Sequence, residues 1–156
     1  QLGAFVRPLV EAGYSVIAFD APAHGMSNGK ESTALIFAQA LNRVIGRFGP
    51  AHAVIAHSMG GWATAYAMLD GTRIGKVVLV GSPVDPTAYR DRFSERFGLS
   101  SEVVEGMMKR LEKRVGLPRE TFVLSRRITE EVEALEAAQA TPALIVHDRG
   151  DEEAWS

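Results

Sequence analysis

A chain of 156 residues with 17 basic and 19 acidic side chains, a formal charge of −2 and 46% hydrophobic residues has the make-up of an ordinary globular protein. That length suggests one domain, burying roughly 68–70% of the surface its unfolded form exposes. The near-neutral charge argues against nucleic acid or an anionic membrane as partner, and no apolar run approaches the ~18 residues of a membrane span. Cysteine is absent, which excludes disulfides, a thiol nucleophile and thiolate metal sites within these residues. It is also compatible with the cytoplasm, the expected location.

Leu2 to Ala12 has apolar residues near helical spacing and stops at Gly13, which predicts a helix. Ser15 to Phe19 is a short continuous apolar run of the kind buried on both faces of a parallel sheet, so a strand is expected there. Asp20 to Gly29 is rich in turn formers and reads as a loop. Ala34, Phe37, Ala38, Leu41, Ile45 and Phe48 follow a helical period, ended by Gly49-Pro50.

The alternation then repeats. Ala53–Ala56 is strand-like, Gly60–Leu69 helical, Lys76–Val80 a strand closed by Gly81-Ser82-Pro83, and Ala143–Val146 a last strand. Strands alternating with helices imply an α/β fold: a mainly parallel sheet flanked by helices, with right-handed crossovers. Val84 to Ala140 interrupts the pattern. It is dense in charge and predicts a helical insertion. One helix carries the stripe Val103, Val104, Met107, Met108, Leu111 and Val115, expected to pack inward and ended by Gly116 and Pro118. Ile128–Ala140 is a second helical candidate.

The most informative residues are Ala56–Gly61, AHSMGG, between a strand and a helix. Small residues two before and two after Ser58 suit a sharp turn that thrusts a hydroxyl out of a sheet's end. The helix that follows brings backbone N–H groups and the positive end of its dipole to the same place. Ser58 is therefore a candidate nucleophile, against the plainer alternative that it is an N-cap.

Three segments, in order, resemble the α/β-hydrolase family. Asp20-Ala21-Pro22-Ala23-His24-Gly25-Met26-Ser27 is similar to its D-x-P-G-H-G-x-S loop. His57-Ser58-Met59-Gly60-Gly61 resembles its nucleophile elbow, and Pro142–Asp151 its late strand and acid-bearing loop. The likeness covers almost the whole chain as one domain over residues 1–156, with the insertion at about 84–140 where the family places a cap. Ala56 and Ala23 stand where the family usually has glycine, both mild departures.

The resemblance implies a serine hydrolase acting on a small-molecule acyl substrate such as a carboxylic ester. Ser58 would be the nucleophile, Asp151 the acid and the Met59 N–H an oxyanion donor. Asp148 and Asp85 are alternative acids. His57 is expected to point away from Ser58, His24 to fix its loop, His52 to lie on the surface and His147 to be structural. The family's histidine base follows the acid beyond a further strand, and its H-G-G-type loop precedes the first segment. Neither is found here. Together with the abrupt ends at Gln1 and Ser156, this leads us to expect a piece of a longer protein, inactive by itself. Two other readings stay open: a catalytically silent or binding member of the fold, and an acyltransferase. Four scattered histidines, no H-E-x-x-H and no glycine-rich phosphate loop imply no metal and no cofactor. Oligomeric state is not legible.

Overall fold

The computed structural model describes residues 2–82, 87–123 and 141–146. Three parallel strands form its sheet: β1 (Val54–His57), β2 (Val77–Val80) and β3 (Ala143–Val146), in the order β1-β2-β3. The register is even, with Val54 opposite Val77 and Val77 opposite Ala143. A short helix α1 (Val6–Glu11), entered through a 3₁₀ turn at Leu2–Phe5, opens the chain. Helices α2 (Ala34–Phe48) and α3 (Met59–Leu69) flank the sheet. Helices α4 (Thr87–Phe97) and α5 (Ser101–Val115) lie in sequence between β2 and β3, followed by a 3₁₀ turn at Arg119–Phe122. The parallel α/β architecture read from the sequence is thus the observed one.

Local chemistry sets the helix ends. The Thr33 hydroxyl accepts from the Ile36 N–H at 3.3 Å, and the Ser100 hydroxyl accepts from the Val103 N–H at 3.4 Å, each satisfying an otherwise unpaired donor of the first turn. Gly116 closes α5 in the left-handed region, at φ 75°. Helix α3 is apolar nearly all round, as a helix enclosed by other elements must be. Its Trp62, Ala63 and Ala67 meet Leu35, Ala38 and Leu41 of α2, and Ile74 and Val77 complete this core. Thr64, inside α3, stays satisfied by donating to the Gly60 carbonyl at 2.8 Å. The Thr72 hydroxyl donates to Asn42 Oδ1 at 2.7 Å and ties the end of α3 to α2.

Two expectations are corrected. Ser15–Phe19 forms no strand: it joins no ladder, and Ile17 is 51% exposed. An apolar run becomes a strand only beside a partner backbone, and among the described residues β1 pairs with β2 alone. The stripe of α5 is not packed inward along its length. No residue of α5 is buried, and Val103 and Met107 are largely exposed, while Val115 reaches the core. Helix α4 went unread in the sequence because its two phenylalanines are diluted by charge. The second predicted helix, Ile128–Ala140, lies outside the described residues, as do parts of the insertion on either side of α4 and α5.

One charge cluster ties the 3₁₀ turn at Arg119–Phe122 back to α5. Arg119 grips Glu105 through Nη1 at 2.8 Å and Nη2 at 2.9 Å, and Glu112 through Nε and its own backbone N–H, both at 3.0 Å. Hydrogen bonds from the guanidinium hold both carboxyls below their ordinary value of 4.5, and for Glu112 the backbone N–H adds to this. Carboxyls depressed in the folded state add stability above their ordinary range, and that stability is lost as pH falls through their folded values. Arg119→Gln is therefore expected to lower Tm at pH ~7, with the gap to the parent closing by pH ~3. Thermal melts at both pH values check this; an equal gap at both would remove the ionic explanation.

Candidate functional site

Ser58 stands between the last residue of β1, His57, and the first of α3, Met59. Its backbone has φ 51° and ψ −128°, a region that L-residues other than glycine rarely enter. Such a conformation persists only where the surroundings over-determine it, and two hydrogen bonds do so. The Ser58 N–H donates to the Val80 carbonyl at 2.9 Å, bolting the turn to the end of β2, and its carbonyl accepts from the Gly61 N–H at 2.8 Å. The Gly81 N–H donates to the Val146 carbonyl at 2.9 Å, so the ends of all three strands are joined beside the serine.

The side chain does not serve as a helix cap: the Ser58 hydroxyl makes no capping hydrogen bond to the first turn of α3. The N-cap alternative therefore loses its chemistry, and the partly exposed hydroxyl is left at the carboxyl end of the sheet. Met59 opens the helix, so its N–H belongs to the first turn, where the Gly61 N–H is already taken by the Ser58 carbonyl. The arrangement brings the Ser58 hydroxyl and the Met59 backbone N–H to the same strand–helix junction.

Close packing behind the serine explains its glycine-rich flank. A Cβ on Gly61 would overlap the hydroxyl and Cβ of Ser82, a buried residue just past β2. Ser82 is the packing neighbour that sequence reasoning missed, because Gly81-Ser82-Pro83 reads simply as the end of a strand. Its hydroxyl turns back to the Val80 carbonyl at 3.3 Å, the same carbonyl that holds the Ser58 N–H. Gly61→Ala is expected to destabilise the protein by about 1–3 kcal/mol through overpacking. Adding Ser82→Gly is expected to recover most of that loss. Urea denaturation of the two variants decides it: equal losses would mean that Ser82 is not the obstacle.

The loop after Phe19 is a built turn. The Asp20 carboxylate accepts from the Met26 N–H at 2.9 Å, and the Asp20 carbonyl accepts from the Ser27 hydroxyl at 2.7 Å. A side chain on Gly25 would collide with that carboxylate. Ala23 sits at φ 62°, which accounts for the glycine that the resemblance leads one to expect there.

The histidines fall as follows. His24 has Nδ1 3.1 Å from the Pro22 carbonyl and its ring edge-on to Phe37, centroids 5.0 Å apart, so it fixes its loop. His52 is exposed and lies against Tyr14 at 5.5 Å. His57 is exposed at the end of β1. Among the described residues no histidine hydrogen-bonds the Ser58 hydroxyl. Trp62 is a core residue, stacked on Tyr66 with centroids 5.2 Å apart. Asp151, Asp148, Asp85 and His147 lie outside the described residues. No group of three metal-ligating side chains occurs among the described residues, and no helix there is long and apolar enough to cross a membrane.

The model of the alpha/beta hydrolase family matches residues 2–155. No curated protein and no solved structure matches.

Proposed function

We propose, since this chain belongs to the alpha/beta hydrolase family, that it is a serine hydrolase of carboxylic esters or similar acyl compounds, with Ser58 as nucleophile. The observation that carries the reading is the Ser58 backbone, held at φ 51° by the end of β2 while its hydroxyl stays free of capping duty. A strained serine at a strand–helix junction is what a projecting nucleophile requires.

Ser58 Oγ attacks the acyl carbonyl and gives its proton to a histidine base. The tetrahedral oxyanion draws on the Met59 N–H, one such donor being worth about 3–4 kcal/mol. Collapse breaks the bond to the leaving alcohol, which takes the proton from the base, and the acyl group remains on Ser58. Water then repeats the sequence and frees the acid. Asp151 is proposed to orient the base, with Asp148 and Asp85 as alternatives. Attack on the acyl-enzyme by an alcohol in place of water would make the protein an acyltransferase through the same intermediate. Helices α4 and α5, with the rest of the insertion, are proposed as the cap. Labelling by a fluorophosphonate, followed by mass spectrometry of the modified peptide, tests the reading. A phosphonate adduct on Ser58 supports it; an unlabelled Ser58 in protein that hydrolyses esters rejects it.

A further inference from the structure

We propose that Ser82 is a positioning residue for the Ser58 nucleophile, a role that rests on the serine-hydrolase reading. Ser82 is 6% exposed and lies two residues past the end of β2. Gly81 before it turns the chain in the left-handed region, at φ 52°, and its N–H is held by the Val146 carbonyl at 2.9 Å. Ser82 is thus set from the ends of β2 and β3, and its side chain meets the first turn of α3.

Two hydrogen bonds hold the Ser58 backbone, and Ser82 touches the far partner of each. The Ser58 N–H donates to the Val80 carbonyl at 2.9 Å, and the Ser82 hydroxyl donates to the same oxygen at 3.3 Å. A carbonyl oxygen has two lone pairs, so it accommodates both donors. The Ser58 carbonyl accepts from the Gly61 N–H at 2.8 Å, and Gly61 lies so close to Ser82 that a Cβ there would overlap Ser82 Oγ and Cβ. One side chain therefore braces both the acceptor and the donor that keep Ser58 at φ 51°.

Packing alone would be met by alanine, which fills nearly the same space. Serine adds a bond to the atom that holds the elbow. That bond goes to backbone and not to the Ser58 side chain, so Ser82 acts on the reaction through position. A small rotation of the Ser58 backbone moves its Oγ relative to the Met59 N–H and to the base. Misplacing reacting atoms by about 1 Å costs on the order of 10²-fold in rate. Losing the Ser82 hydroxyl releases one side of the brace, and losing the whole side chain releases both.

Turnover of an activated ester and fluorophosphonate labelling, measured well below Tm in a chain that also carries the histidine base, test this. Ser82→Ala is expected to lower kcat and the labelling rate ~5-fold and Ser82→Gly ~30-fold, with KM unchanged within ~2-fold. The pH profile should not move, because Ser82 does not set the protonation of the base. Gly61→Ala with Ser82→Gly carries the Cβ across the contact. It should regain Tm yet stay ~10-fold or more slower than the parent, since no hydroxyl then reaches the Val80 carbonyl. In the 156-residue chain, Ser82→Gly should also speed hydrogen exchange of the Ser58 and Gly61 amides ~10-fold relative to the Thr72 amide at the far end of α3.

Either single variant with kcat and labelling within ~2-fold of the parent's overturns the proposal. So does a double variant that recovers rate along with Tm, because packing then suffices, and so does unchanged exchange at Ser58 and Gly61. A rise in KM that accounts for the whole loss assigns Ser82 to substrate binding and overturns it as well. A parent that neither turns over the ester nor labels on Ser58 removes the hydrolase reading and the positioning role with it. A fast parent with equally fast variants removes the positioning role alone.

Discussion

In a chain that also carries the histidine base, replacing Ser58 by alanine is expected to abolish fluorophosphonate labelling and to lower kcat for an activated ester about 10⁶-fold, the size of effect that follows removal of the serine from a working triad. The loss will not come from unfolding. Alanine keeps the Cβ and therefore the strain of φ 51°, so the Ser58→Ala protein should melt close to the parent. Ser58→Gly should be equally inactive yet more stable than Ser58→Ala. Glycine enters this backbone region freely, relieving about 1–3 kcal/mol of strain against an entropic penalty of about 0.5–1 kcal/mol. The pair separates the hydroxyl, which is proposed to serve chemistry, from the backbone, which is held at φ 51°. Turnover or labelling that persists in Ser58→Ala would remove the serine from the mechanism. A glycine variant that melts below the alanine variant would remove the strain argument.

The largest expected effect on stability comes from Trp62→Ala. Trp62 is 3% exposed, belongs to the core between α2 and α3, and stacks on Tyr66. Truncation should cost about 3–5 kcal/mol, because the lost transfer free energy is joined by a cavity that rigid neighbours fill poorly. Against a typical total of 5–15 kcal/mol this is a large share, and for a chain of this size it corresponds to a fall in Tm of roughly 6–20 °C. Trp62→Phe keeps a ring against Tyr66 and should lose less than half as much. Since Trp62 lies four residues beyond Ser58 on the helix that carries the elbow, the alanine variant should also lose activity at temperatures where it remains folded. Calorimetry and ester assays on the two variants check both statements; a fall below ~2 °C for the alanine variant would show that the aromatic pair carries little.

Much of the fold was written locally. The apolar period of Ala34–Phe48, with Thr33 before it and Gly49 after it, determined α2 to its ends. Short β-branched runs bounded by glycine and proline marked β1, β2 and β3 to within a residue, because parallel strands are distinguished by composition over few positions. Gly60 and Gly61 around the serine announced a close approach of helix and sheet before any partner was known.

The sequence by itself thus determined the order of strands and helices, the family, and the place of Ser58 at a strand–helix junction. Those features depend on spacing, capping and small residues, which act over a few positions along the chain. Tertiary structure alone decided that Ser15–Phe19 joins no ladder among the described residues, that Ser82 is the surface Gly61 must clear, and that Phe93, Phe97, Val103 and Met107 face outward. Pairing, steric contact and exposure are relations between residues far apart in the chain, and an apolar side chain has the same formula whether its neighbour is present or not.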